Sequence, residues 1–522
     1  MALAPPAPAP APDSSDVADA VTDTSRRHIR GSSLLFAGRL TSVGVNFAVQ
    51  VLIVRYLSKA DFGAFAYGLA LVSMGQSVTV LGLDKAISRF LPIYDEQRAH
   101  DKLLGALVLA TGTVIALGAA IVALIFGLHG LLGGPAASGG TAVTVLLILI
   151  LLAPIQALDD ILMSTFAVFT KPRAIFFRKY VLAPGLRLAA ILAVIAGQSD
   201  VRGLAVGYVA AGALGVAAYG AMLVHTLRRQ GVLGTVPMRS ARVPVREIYG
   251  FALPLLAVDL MFVVMNGTNV VMLGYFGDAR EVADYRVVQP AAHLNVLVMT
   301  SFTLLFTPMA ARLFARDDKA GIQELYWRTA VWIAVFTFPV FAATFALSHT
   351  LTVGMFGERY ASSAPILALL SLGYYFSAAL GFNGLTLRVY GLVRYSVVIA
   401  VLAAIANVAL NLVLIPRYGA LGAGIGTCLT LAVHNLLKQA GLRKGTGISV
   451  LHRRHLRVYA VIIAAAGVLL ALQRLLDPGF VPSLALVAAA SLAVLAFTRR
   501  SLQIGDTFPE LLRIPVVRAL LS

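Results

Sequence analysis

Fourteen long apolar segments fill this chain of 522 residues, at 32–57, 62–91, 102–128, 141–169, 174–197, 202–227, 246–275, 280–315, 324–354, 362–391, 393–416, 417–440, 457–476 and 480–498. Each reaches or approaches the roughly 20 residues that carry a helix across a hydrocarbon core of about 30 Å. The longer ones predict tilted helices or helices that run into the interface. The fold this dictates is an all-α polytopic membrane protein with about 14 transmembrane helices. A hydrophobic content of 59% and a charged content of only 13% agree with it, since soluble domains carry nearer 25% charged residues.

Charge sets the predicted orientation. With the N-terminus taken as cytoplasmic, 31 of the 42 Lys and Arg residues fall in the two tails and the even-numbered loops. Seven fall in the odd-numbered loops: Arg55, Lys59, Arg202, Arg280, Arg359, Arg417 and Arg474. With residues near a span end counted in the adjoining loop, the remaining four, Arg39, Lys85, Arg187 and Arg286, lie inside spans. This bias is a positive-inside signal, and it predicts a multi-pass protein of the cell (plasma) membrane with both termini in the cytoplasm. The net charge of +18 is then the charge of loops facing anionic lipid headgroups, and no nucleic-acid partner is expected. The cluster Lys438, Arg443, Lys444, Arg453, Arg454 and Arg457 reads as a juxtamembrane patch of the same kind.

The one cysteine, Cys428, excludes an intramolecular disulfide and a multi-cysteine metal site. No metal site, cofactor or nucleophile–base constellation is expected, and neither is an enzyme. Residues 1–28 open on an Ala/Pro-rich and then acidic stretch without the basic and apolar regions of a signal peptide. They are expected to form a disordered cytoplasmic tail, with a second tail at 499–522.

The two halves of the chain resemble each other at an offset near 219. Tyr56 pairs with Tyr275, Phe65 with Tyr285, Arg89 with Arg312 and Arg173 with Arg394, while Gly203 and Gly207 pair with Gly422 and Gly426. The repeat predicts two six-helix lobes, 29–230 and 246–440, with an extra hairpin at 457–498. Six is even, so both lobes enter the membrane in the same direction. Parallel repeats of this kind, related by a pseudo-twofold axis along the membrane normal, are a transporter architecture.

Three stretches carry a resemblance to a known family. RLTSVGVNFAVQVLIVRYLSKADFGAFAYGLALV and LGLDKAISRFL resemble the opening of the polysaccharide-transporter family. These are flippases for O-antigen and exopolysaccharide repeat units in the multidrug/oligosaccharidyl-lipid/polysaccharide superfamily. NVALNLVLIPRYGALGAGIGT, residues 407–427, resembles that superfamily's span 11–12 signature. Within it, Pro416 is expected to stop span 11, and Gly419, Gly422, Gly424 and Gly426 to allow a tight reversal. Asn407 and Asn411 are expected to bond to neighbouring helices.

The resemblance implies alternating access and a polyprenyl-diphosphate-linked oligosaccharide as cargo, moved to the outer leaflet for surface polysaccharide biosynthesis. It implies membrane lipids as surroundings and leaves room for a proton or sodium coupling ion and a polysaccharide polymerase partner. In such proteins spans 1, 2, 7 and 8 line the cavity between the lobes. Arg39, Lys85 and Arg286, on those spans, are therefore the candidate cationic lumen. Asp259, Asn266, Asn269, Gln289 and His293 are the candidate polar lining, with Asn295 beside them. A charge at bilayer depth costs about 2.5–3.5 kcal/mol on insertion scales, so each needs a partner or a wet cavity. Snorkelling to an interface remains open for all three cations, as does a local Lys85–Asp84 pair. Arg187 is expected to bridge helices through Asp159 or Asp160. The rival functions are a cation-coupled multidrug antiporter, a lipid II flippase of the same superfamily, and a membrane glycosyltransferase or polymerase.

Overall fold

The computed structural model describes residues 38, 41–132, 140–169, 176–229, 231, 241–448, 453–476 and 478–502. The expected tail at 1–28, most of the tail at 499–522, Arg39, Arg173 and the side chain of Asn266 lie outside the described residues.

The first lobe runs through α1 (Thr41–Tyr56), α2 (Lys59–Val80), α3 (Leu83–Glu96), α4 (His100–Leu132), α5 (Gly140–Leu149), α6 (Leu152–Phe169), α7 (Ala183–Ala196) and α8 (Val201–Arg229). The second runs through α9 (Val245–Phe276), α10 (Ala279–His293), α11 (Leu297–Ala315), α12 (Lys319–Ala346), α13 (Ser348–Phe356), α14 (Ala364–Ala379), α15 (Asn383–Val389) and α16 (Val393–Thr446). A final hairpin, α17 (Arg453–Leu476) and α18 (Phe480–Leu502), packs on α12. The described residues contain no strand.

Among the described residues the helices make fourteen apolar passes, several of them broken. Ten helical segments there are long and apolar enough to cross a membrane. One of them, α16, doubles back on itself and counts twice. The broken pair α10 and α11, the long α9 and the short α1 supply the rest. The breaks have local causes. Leu81 and Gly82 both take positive φ between α2 and α3. Phe177–Leu182 is one π-helical turn before α7. Leu294–Val296 is a 3₁₀ turn after Pro290.

The reversal in α16 corrects the expectation for Pro416, which lies inside the helix. The chain turns at Gly419, with φ 53° and ψ −133°. A residue with a Cβ is strained there, and a Cβ would also run into Glu281. Beyond it the two halves lie antiparallel: Asn407 donates to Thr430 and Tyr395 donates to the Leu437 carbonyl.

Repeat-related turns carry the same cap. The Ser58 hydroxyl accepts from the Asp61 N–H at the start of α2, and the Asp278 carboxylate accepts from the Glu281 N–H at the start of α10. These are N-caps of one kind, displaced by 220 residues rather than 219 because of a one-residue slip after Tyr56 and Tyr275.

The lobes meet through α2, α9 and α10. A Cβ at Gly63 would run into the Ala279 carbonyl, so the backbones of α2 and α10 touch. Small residues at helix crossings permit this in lipid, where packing rather than hydrophobicity drives association.

Two interlobe closures stand at opposite ends of the α2–α3 pass. Lys59 opens α2 and Lys85 lies just beyond its end, and the 22 residues of α2 alone rise about 33 Å, which is enough to cross the hydrocarbon core. At the first end Lys59 pairs with Asp284 of α10 at 2.8 Å. At the second, Lys85 pairs with Asp259 of α9.

Candidate interlobe cavity

Between the closures lies a cavity of about 640 Å³. α1 contributes Asn46 and Gln50 to its wall, α2 contributes Ser73, and α10 contributes Arg286, Gln289 and His293. Apolar residues of α1, α9 and α11, among them Val43, Val263 and Leu297, complete it. Among the described residues, Arg286 is the one Lys or Arg in this lining, and no Asp or Glu lines it.

The α10 wall is set by one helical repeat. Arg286, Gln289 and His293 recur at spacings of three and four, which puts them on one face. Arg286 donates to the Gln289 side-chain oxygen. His293 Nε2 lies 2.9 Å from the Tyr374 hydroxyl of α14. Gln50 donates to the Val287 carbonyl at 3.2 Å, which fixes α1 against α10. Tyr374 and Gln50 had no distinguishing motif in the sequence; only the helix rotation brings them here.

The other predicted residues fall elsewhere. Lys85 and Asp259 bond to each other and are absent from this wall. Asn269 is 1% exposed and sits behind the wall. It donates to Thr427 at 2.8 Å and to Tyr285 at 3.1 Å, and accepts from Asn411 at 2.7 Å. This neutral network ties α9, α10 and both halves of α16 together, in keeping with the expectation for Asn407 and Asn411. Asn295 is buried and donates to Thr344.

A second cavity of about 310 Å³ shares Asn46, Gln50 and Arg286 with the first and runs into the first lobe. Gln156, Arg187 and Tyr208 line it. The expected bridge from Arg187 to Asp159 or Asp160 is not formed. Arg178 takes Asp159 instead, at 2.6 Å, and Gln76 donates to Asp160 at 2.6 Å. Arg178 is 6% exposed and stands over the Tyr219 ring. The sequence tally had placed it in a loop; the π turn carries it into the lobe. An inter-helix bridge therefore exists, made by a different arginine.

A helical membrane protein of two lobes around a polar cavity is a transporter fold. Residues 29–314, more than half of the chain, match the family described as polysaccharide biosynthesis protein. The chain belongs to that family. An uncharacterised membrane protein of Methanocaldococcus jannaschii is 23% identical over 417 residues, covering 76% of this chain and 80% of its own. Among solved structures, the lipid II flippase MurJ in an inward closed conformation has a TM-score of 0.67 at 13% identity, over 90% of this chain and 99% of its own. An inward-facing multidrug-resistance transporter has a TM-score of 0.61 at 15% identity, over 78% and 95%. A superfamily transporter from Pyrococcus furiosus, described as having a binding pocket of reversed polarity, has a TM-score of 0.52 at 16% identity, over 80% and 96%. At these identities the structures establish the fold. The chain is a multi-pass membrane protein of that family with the fold these transporters share.

Proposed function

We propose that this protein is a flippase that carries a polyprenyl-diphosphate-linked oligosaccharide from the cytoplasmic to the outer leaflet by alternating access, for surface polysaccharide biosynthesis. One observation carries the reading: among the described residues, the interlobe cavity has an arginine in its wall and no carboxylate. A guanidinium without an acid partner in a membrane cavity favours an anionic ligand, and its planar fork matches phosphate oxygens. Gln289, Asn46 and Ser73 offer hydrogen bonds to sugar hydroxyls. A cationic drug would meet like charge, which disfavours the multidrug antiporter. The Lys59 end faces outward in this reading, as the charge bias predicts, and a proton or sodium gradient and a polysaccharide polymerase are its natural energy source and recipient. Arg39, on the span that supplies Asn46 and Gln50, belongs to the same proposed lumen on the sequence argument.

The test is export of surface polysaccharide by a strain that depends on this protein. Arg286→Ala should lower export by about tenfold or more at unchanged membrane abundance, because a charged hydrogen bond to the cargo is lost. Arg286→Lys should fall between, keeping charge without the fork. Full export by Arg286→Ala would remove the anionic cargo from this cavity.

A further inference from the structure

We infer that the cavity of about 310 Å³ that runs into the first lobe is a sugar subsite, in which Gln156 and Tyr208 bond to the hydroxyls of a pyranose ring. The inference rests on the flippase reading and deepens it, by giving the glycan of the cargo a place of its own. The volume lies at the lower end of the roughly 300–1,000 Å³ of small-molecule sites. That suits a short stretch of glycan rather than a long oligosaccharide.

The wall presents polar groups that the protein itself leaves unused. Gln156 of α6 and Tyr208 of α8 are half-buried, and among the described residues neither side chain has a hydrogen-bond partner. The carboxylates nearby in sequence do not claim Gln156. Asp159, one turn further along α6, is bonded to Arg178, and Asp160 accepts from Gln76. Gln50 of α1 adds its side-chain oxygen, since its Nε2 donates to the Val287 carbonyl. Phe65 of α2 packs edge-to-face with the Tyr208 ring, their centroids 5.1 Å apart, which fixes the ring while the hydroxyl stays free.

A pyranose answers each of these surfaces. Its hydroxyls donate and accept, as do an amide and a phenol. Its C–H groups pack on aromatic rings, whose faces are electron-rich. A prenyl chain in the same place would bury the amide and the phenol without partners, which is costly. Arg286 borders both cavities, so a cargo whose diphosphate is held there has its glycan within reach of this one. Arg187, also in the wall, is bonded to Asn46 at 3.5 Å. The lobes then divide the cargo between them: the second holds the charge through Arg286, and the first senses the glycan through Gln156 and Tyr208. A site built to hydrogen-bond a hydroxyl strongly rejects a ligand that lacks it, so these two residues would set which sugars are carried.

The experiment titrates the purified full-length protein calorimetrically with four probes of equal charge: the methyl, glucosyl, galactosyl and N-acetylglucosaminyl esters of farnesyl diphosphate. At least one sugar ester should bind the unmodified protein about tenfold or more tightly than the methyl ester, as two neutral hydrogen bonds imply. Tyr208→Phe keeps the ring and removes the hydroxyl, and Gln156→Leu keeps the approximate shape and removes the amide. Each should reduce the sugar advantage by about fivefold while leaving methyl-ester affinity within about twofold. Arg286→Gln should instead lower all four affinities alike. If no sugar ester binds more tightly than the methyl ester, or if the advantage survives both variants, the sugar subsite fails and the flippase reading stands. Equal losses on all four probes in both variants would make the two residues structural and overturn the inference as well. If the unmodified protein binds none of the four, the subsite and the flippase reading fail together.

Discussion

The two interlobe closures use the same pair of residue types and are built differently around it. At the Lys59 end the bridge is sheltered, with side-chain exposures of 20% and 13% for Lys59 and Asp284. Ser362 and Ser363 also donate to Asp284, at 2.9 and 2.6 Å. Arginines then cap helix ends across the lobes. Arg55 of α1 donates to the Gly354 and Met355 carbonyls of α13, at 2.6 and 2.8 Å. Arg359 returns the contact to the Val54 carbonyl of α1. Cations at helix C-termini are favoured by the unpaired carbonyls and the dipole there. At the Lys85 end the bridges are between side chains and wetter. Lys85 and Asp259 are 39% and 33% exposed, Lys102 and Glu247 39% and 48%. Exposed pairs are screened and contribute about 0.2–1 kcal/mol each. The Lys59 end is thus the firmer closure, and the Lys85 end is the one that thermal motion opens more readily in this arrangement.

The strongest challenge to that comparison is to hold the firm end shut. With Cys428→Ser as background, Lys59→Cys and Asp284→Cys can be joined by a short, reducible bifunctional thiol reagent. Transport should fall by about tenfold or more and return on reduction, since alternating access requires this end to part. Undiminished transport with the link in place would mean that the Lys59 end never opens.

The Lys85 end should respond less. Lys85→Ala removes a half-exposed pair worth at most about 1 kcal/mol, so the balance between closed and open should shift by no more than about fivefold. Exchanging the two residues, Lys85→Asp with Asp259→Lys, should recover most of the loss. If the exchange does not recover it while protein levels hold, Lys85 acts on cargo rather than on closure, which is the cationic-lumen role its span suggested.

How much of this was legible beforehand follows from what each signal measures. Hydropathy reports whether a segment crosses, and it yielded the fourteen passes and the hairpin of α17 and α18. The repeat could be read because pairs such as Tyr56 and Tyr275 recur at a nearly constant offset, and the caps at Ser58 and Asp278 fall in the same turn. Partner choice was another matter. Arg178 looked like a loop residue because nothing in its composition announces the π turn of Phe177–Leu182. Once it is buried against Asp159, Arg187 is left facing the cavity. A single residue added to one helical turn rotates everything after it, so which of two arginines nine positions apart takes an aspartate is decided by backbone geometry. In α16 the reversal falls at Gly419, one of the four glycines expected to allow it, while Pro416 does not stop the helix. Proline marks where a helix loses a donor, whereas the sharp turn needed the positive φ that Gly419 supplies.

The smallest effect sharpens the comparison from inside the firm end. Asp284 is held by Lys59, Ser362 and Ser363 together, so deleting one neutral donor leaves two partners in place. Ser362 is exposed and can be replaced there by water, whereas Ser363 is fully buried. Ser362→Ala should therefore change opening by less than about twofold, and Ser363→Ala by more, because water cannot replace the bond that the buried hydroxyl makes to Asp284 Oδ1. The readout is the rate at which an impermeant thiol reagent, added from outside, reaches Ser73→Cys in the cavity wall of the Cys428→Ser protein. Opening of the Lys59 end should control that rate, which ties the measurement to the predicted orientation. Equal rates for the two serine variants would show that burial does not rank the bonds of this closure. A rate insensitive even to the Lys59–Asp284 link would place the Lys59 end on the other side of the membrane.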